Sequence, residues 1–131
     1  MDKDSKTTIY GALAYLLVTF PLAVLWHLFI FGNTYDIIGY IDAEPNFLFG
    51  FLSILFQGLL LSYGYRFVKN YDPLKYAALI GVFFWTSHVL AFAAKGNLEM
   101  EPTFFFLETI YLTLQFGIYG LLLKQITKRV E

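Results

Sequence analysis

Glu108, His88, His27, Gln57 and Gln115 are polar side chains standing inside long apolar runs. An ionisable group in hydrocarbon is costly enough to be a functional candidate by default. Glu108 leads the set, because a charged carboxylate there requires a partner, a proton or water. Gln115 follows it by seven residues, close to two helical turns, so both share a face that Tyr119 extends. Each histidine has an indole nearby in the chain, as Trp26-His27 and Trp85-x-x-His88, which adds Trp85 to the candidate ligand-binding residues. Two histidines and a carboxylate can ligate a transition metal, hold and relay a proton, or orient a polar head group. The metal reading lacks a histidine pair at i, i+4 on one helix, and bis-histidine haem lacks a second pair or an attachment motif. Acid–base chemistry by Glu108 with His88 on a lipid-like substrate draws on the same groups, but no catalytic motif accompanies them. The plain alternative for every one of these residues is hydrogen-bond glue between helices.

The elements that must position these groups are four apolar runs, at about 9–31, 47–67, 76–94 and 104–123. Each is near the roughly 20 residues a helix needs to cross about 30 Å of hydrocarbon. Apolar residues occur consecutively, as in Leu22-Ala23-Val24-Leu25, whereas a barrel strand alternates. The expected fold is therefore all-α: a single-domain integral membrane four-helix bundle over residues 1–131. At about 1.5 Å per residue, His88, Glu108 and His27 lie roughly 5, 8 and 10 Å from their span centres, all toward the same surface.

Charge is sorted in space although the net charge is only −1. Lys3 and Lys6 precede the first span, Arg66, Lys69 and Lys75 lie between the second and third, and Lys124, Lys128 and Arg129 follow the fourth; only Lys95 falls elsewhere. The positive-inside rule then makes both termini and the second loop cytoplasmic, with Asp36, Asp42, Glu44, Glu99 and Glu101 outside, as in a bacterial inner membrane. The first run is too long for a signal-peptide core and no small-x-small site follows it. Cysteine is absent, which removes disulfide, thiolate–metal and cysteine-nucleophile chemistry.

Three helices are expected to open on an acid–proline pair, Glu44-Pro45, Asp72-Pro73 and Glu101-Pro102, since proline fits the first turn and a carboxylate complements the dipole. The first and third pairs continue alike, as Asn46-Phe47-Leu48-Phe49 and Thr103-Phe104-Phe105-Phe106, with Gln57 and Gln115 beyond. That suggests two tandem two-helix units in parallel 2+2 orientation, about an axis along the membrane normal. The short second loop predicts that the second and third spans are antiparallel neighbours. The first loop, 32–43, mixes apolar residues with Asp36 and Asp42, which suits a surface connector or a lid. Pro21 frees the Leu17 carbonyl and predicts a kink. Gly50, Gln57 and Gly64, and Thr109, Thr113, Gly117 and Gly120, form small-residue or polar stripes for close packing, while Tyr10, Tyr65 and Tyr76 are expected interfacial anchors.

These features point to an outer-leaflet polar pocket for a small-molecule or lipid-like ligand, bound or transported, with dimerisation expected if it transports. An accessory subunit of a larger membrane complex is the second class. The expected partners are the bilayer, the ligand and further membrane chains, with no nucleic acid; the sequence identifies no cofactor.

Overall fold

The computed structural model describes residues 1–41, 43–96 and 98–130, so Asp42 lies outside the described residues. The described residues are 84% helical. Its elements are α1 (Lys3–Val24), α2 (Gly32–Ile37), α3 (Phe47–Tyr65), α4 (Pro73–Phe84), the single turn α5 (Ala91–Ala93) and α6 (Glu101–Val130). Two π-helical turns, Leu25–Ile30 and Trp85–Leu90, extend α1 and join α4 to α5. Four helices are long and apolar enough to cross a membrane: Lys3–Ile30, Phe47–Val68, Pro73–Ala93 and Glu101–Val130.

The outside of the bundle is apolar and its inside is not. Leu17, Phe29, Phe67 and Leu48 expose most of their surface, whereas the largest fully buried side chains include Tyr15, Tyr35, Tyr119 and Glu108. Such an arrangement suits a solvent of acyl chains, where exterior polar groups would go unpaired and interior ones find partners. Half of the apolar window of the fourth span is buried, against 11–17% in the other three, which makes α6 the central helix. α1 packs on α3 and α4 on α6, and the two pairs join along α1 and α6. We use "terminal end" for the end carrying the termini and the 66–72 turn, and "distal end" for the other.

Asp72 caps α4 as expected, its carboxylate accepting from the Leu74 and Lys75 amides with Pro73 in the first turn. Lys124 donates to its other oxygen at 2.8 Å, tying the turn to α6. The Lys124 ammonium, above all, holds this carboxyl below its ordinary range, helped by the two backbone amides. At α3 the cap is Asn46, whose side chain accepts from the Phe49 amide, so Glu44-Pro45 precedes the cap instead of forming it. Glu101 is itself the first residue of α6.

Three other expectations change. The helices α3 and α4 are held together by Tyr76 Oη donating to the Leu61 carbonyl (2.8 Å) and by Tyr65 against Tyr76, not by packing along their length. Tyr65 and Tyr76 are accordingly buried, because their rings close this corner; only Tyr10 of the three expected anchors is exposed. The close approach of α1 to α3 runs through Gly11 and Gly58: a Cβ on Gly58 would stand 3.0 Å from the Ala12 carbonyl oxygen. Gly50 and Gly117 face open space, while Gly120 meets Ala77 and Leu74. Pro21 sits within α1, and the regular helix gives way to the π-turn four residues later, where the Phe31 amide reaches back five residues to the Trp26 carbonyl.

Candidate functional site

Both histidines stand in π-turns, His27 in Leu25–Ile30 and His88 in Trp85–Leu90. Such turns are rare, and they recur at functional sites because the wider turn re-aims a side chain. Here they aim the two rings at one carboxylate. His27 Nε2 lies 2.7 Å from Glu108 Oε1, and His88 Nε2 lies 3.1 Å from Glu108 Oε2. Glu108 is fully buried.

The first loop supplies the rest of the shell. After α2, Gly39 adopts φ 77°, a left-handed conformation that favours glycine, and turns the chain so that Tyr40 re-enters the bundle. Tyr35 Oη donates to Glu108 Oε1 at 2.5 Å and accepts from the Trp26 indole at 2.9 Å. Tyr40 Oη lies 2.8 Å from His88 Nε2, with its ring among those of Phe92, Phe104 and His27. Ile38 is fully buried and its carbonyl accepts from the Glu99 amide, joining the two distal connections. The loop is therefore a plug reaching into the bundle, not a surface connector.

The hydrogen bonds constrain the protons. The Ala23 carbonyl can only accept, so His27 Nδ1, 3.0 Å away, carries a hydrogen. Tyr35 receives the indole hydrogen and directs its own to Glu108. The 2.7 Å contact between His27 Nε2 and Glu108 then needs one further hydrogen, borne by the ring or by the carboxyl. As imidazolium–carboxylate or as imidazole–carboxylic acid, the pair is neutral and holds one exchangeable proton. Nε2 of His88 has a single hydrogen or lone pair to offer two oxygens, those of Tyr40 and Glu108. The cluster can thus change its proton arrangement without moving a heavy atom.

A cavity of about 450 Å³ adjoins this cluster in the middle of the bundle; His27, Tyr40, Gln57, Ser87, His88 and Gln115 are among its lining residues. Gln115 donates to Tyr15 Oη (2.9 Å), which donates to Gln57 Oε1 (2.9 Å), while the Gln57 amide reaches Ser53 Oγ. The buried Thr19 hydroxyl also lines the cavity, beside the Tyr15 hydroxyl that the glutamines share. The cavity reaches the bundle surface between α3 and α4, where Ser87 is exposed. Beyond it, Tyr35 and Ile38 are fully buried on the distal side, and Tyr119 meets Ser62 at 3.0 Å and the Tyr15 ring edge-on on the terminal side.

Of the sequence candidates, His27, His88, Gln57 and Gln115 line the cavity and Glu108 backs it. Trp85 does not join them: its indole donates to Thr109 Oγ1 at 2.9 Å, because its side of the π-turn faces the outer groove between α4 and α6. Sequence reasoning missed Tyr15, Tyr35, Tyr40, Trp26 and Thr19. The available signal was Tyr35 and Tyr40 in a loop otherwise free to be polar, and a tyrosine and a threonine deep in the first span. Among the described residues no three His, Asp or Glu side chains are disposed to hold a metal ion; the Glu108 carboxylate itself occupies the space between the imidazoles. No protein-family model, curated protein or solved structure matches this chain.

Proposed function

We propose that this protein binds a small amphipathic molecule in the central cavity, taken from the membrane through the opening between α3 and α4, and that a proton on the His27–Glu108–His88 cluster is exchanged with it. The observation that carries this reading is the polar lining in mid-bundle, where His27, His88, Gln57 and Gln115 converge on one cavity. The volume falls within the roughly 300–1,000 Å³ of small-molecule sites, and a largely apolar pocket with a few convergent polar groups fits such a ligand. The ligand's polar end would meet His88, Gln57 and Gln115, and its apolar part the aliphatic and aromatic wall.

The accessory-subunit reading has one observation of its own, a groove of about 360 Å³ on the outer face of α4 and α6 beside Trp85, Thr109, Thr113 and Gly117. The placement of Lys and Arg supports an inner-membrane protein with cytoplasmic termini. Reporter fusions after Val68 and at the C-terminus should then read cytoplasmic, and one at Gly39 external.

The test is mass spectrometry of small molecules extracted from purified protein, comparing wild type with Ser87→Phe, which fills the opening from an exposed position. A defined molecule near stoichiometric amounts in the wild type, depleted in the variant, supports the reading. Equal amounts in both, or none in a wild type that retains bulk lipid, removes it and favours the accessory role.

A further inference from the structure

We propose that a pocket on the distal half of the α1–α3 face holds one hydrocarbon chain of a lipid whose head group carries an ammonium, a site distinct from the central cavity. The pocket encloses about 340 Å³ between α1, α3 and the plug, and Ala43, Pro45, Asn46 and Phe47 form its exposed mouth. On α1 its lining runs from Leu28 to Phe20 and on α3 from Phe47 to Ile54, which at about 1.5 Å per residue gives depths of about 12 and 10 Å. The two helices leave this space because their close contact lies nearer the terminal end, where Gly58 meets Ala12. Gly50 lines the pocket, and a Cβ there would meet nothing within 4 Å. Glycine weakens a helix interior, and unlike Gly58 this one has no protein neighbour that requires the missing side chain.

The polar atoms of the lining are turned to partners within the protein. His27 commits Nδ1 to the Ala23 carbonyl and Nε2 to Glu108, Tyr40 Oη meets His88, and the Asn46 side-chain oxygen accepts from the Phe49 amide. The surface left in the depth of the pocket belongs to Phe20, Val24, Leu28 and Ile54, which suits hydrocarbon. A helix from a second copy of the chain does not fit: at about 10 Å across, a segment about 12 Å long would fill roughly 1,000 Å³. Charge selects the head group. Glu44 is exposed at the mouth between Ala43 and Pro45, and Asp36, Glu99 and Glu101 are exposed at the same distal end, against Lys95. Such an end repels an anionic head group and attracts an ammonium, while the Asn46 side-chain N–H groups can donate to the lipid phosphate.

The experiment reconstitutes purified protein in nanodiscs of equal parts phosphatidylethanolamine and phosphatidylglycerol, one or the other carrying a photoactivatable diazirine in one chain, and maps crosslinked residues by mass spectrometry. Labelled phosphatidylethanolamine should concentrate its crosslinks on Phe20, Val24 and Ile54 over lipid-exposed Leu17, Leu60 and Phe106. Gly50→Phe should remove the pocket crosslinks, and Gly50→Leu gives the same reading at smaller volume should the phenylalanine variant fail to fold. Gly117→Phe, also in open space but on the α4–α6 groove, should keep them. Glu44→Gln should lower the preference for phosphatidylethanolamine over phosphatidylglycerol by about two- to fivefold, the worth of one exposed charge pair. Crosslinks spread evenly over the exposed residues overturn the proposal. So does equal loss in the Gly50 and Gly117 variants, or a preference that Glu44→Gln leaves unchanged.

Discussion

Replacing Glu108 by glutamine keeps its shape and most of its hydrogen-bonding capacity but removes the exchangeable proton, and the surroundings define what that does. Oε1 faces both His27 Nε2 and the Tyr35 hydroxyl, which directs its hydrogen inward. If the amide nitrogen takes that position it donates to neutral His27, and Tyr35 loses its acceptor. If the amide oxygen takes it, Tyr35 is satisfied and two lone pairs face each other across the His27 contact. Either way one buried partner is lost, so Glu108→Gln should destabilise the protein by about 1–3 kcal/mol. Glu108→Leu strands both imidazoles and Tyr35 together and should cost about 3–5 kcal/mol. The assay pairs thermal unfolding in mild detergent with retention of the co-purifying small molecule. A nitrogen-15 spectrum of labelled histidine adds a structural reading, in which the His27 Nδ1 hydrogen bonded to the Ala23 carbonyl is kept in the glutamine variant. Glutamine protein that is as stable as wild type or more so, with unchanged retention, would refute both the proton count and the role of Glu108 in binding.

Tyr35→Phe removes one hydroxyl that serves the Trp26 indole and Glu108 together, so it should cost about 1–3 kcal/mol in the same unfolding assay, although it lies in the short connecting helix α2. Gly58→Ala forces α1 and α3 apart at the Ala12 carbonyl and should destabilise by about 1–3 kcal/mol, whereas Gly50→Ala, in open space, should be neutral or gain about 0.5–1 kcal/mol. Asp72 has its folded-state pKa depressed from 3.8, chiefly by Lys124. Its contribution to stability is therefore fully present above that ordinary value and lost as pH falls through the lower folded value. Acid unfolding followed by circular dichroism should show this loss in wild type and lack it in Asp72→Asn.

The span positions were legible because bilayer thickness acts on composition alone: any helix that crosses must carry a long apolar run. The inward direction of Glu108, His27 and His88 followed from the same physics, since an ionisable group facing acyl chains has nothing to offset its desolvation. Tyr35 and Tyr40 were illegible for the opposite reason. A tyrosine at a membrane boundary satisfies hydropathy whether it anchors outward or folds inward; the path of α2 turns Tyr35 inward and the left-handed turn at Gly39 does so for Tyr40. The π-turns leave no composition signature, so the convergence of the two imidazoles, beyond their similar depth, could not be read. Nor could the separation of α3 from α4: the short loop fixes where they meet, while the rings of Tyr65 and Tyr76 fix the corner from which they diverge.

A π-turn is what a regular helix becomes when it absorbs one extra residue without disturbing the turns on either side. Deletion of Leu28 or Val89 should thus return an unbroken α-helix whose flanking faces keep their neighbours, while His27 or His88 swings away from Glu108. For most helices a one-residue deletion rotates everything downstream and wrecks packing before it touches function. In this chain the order is reversed.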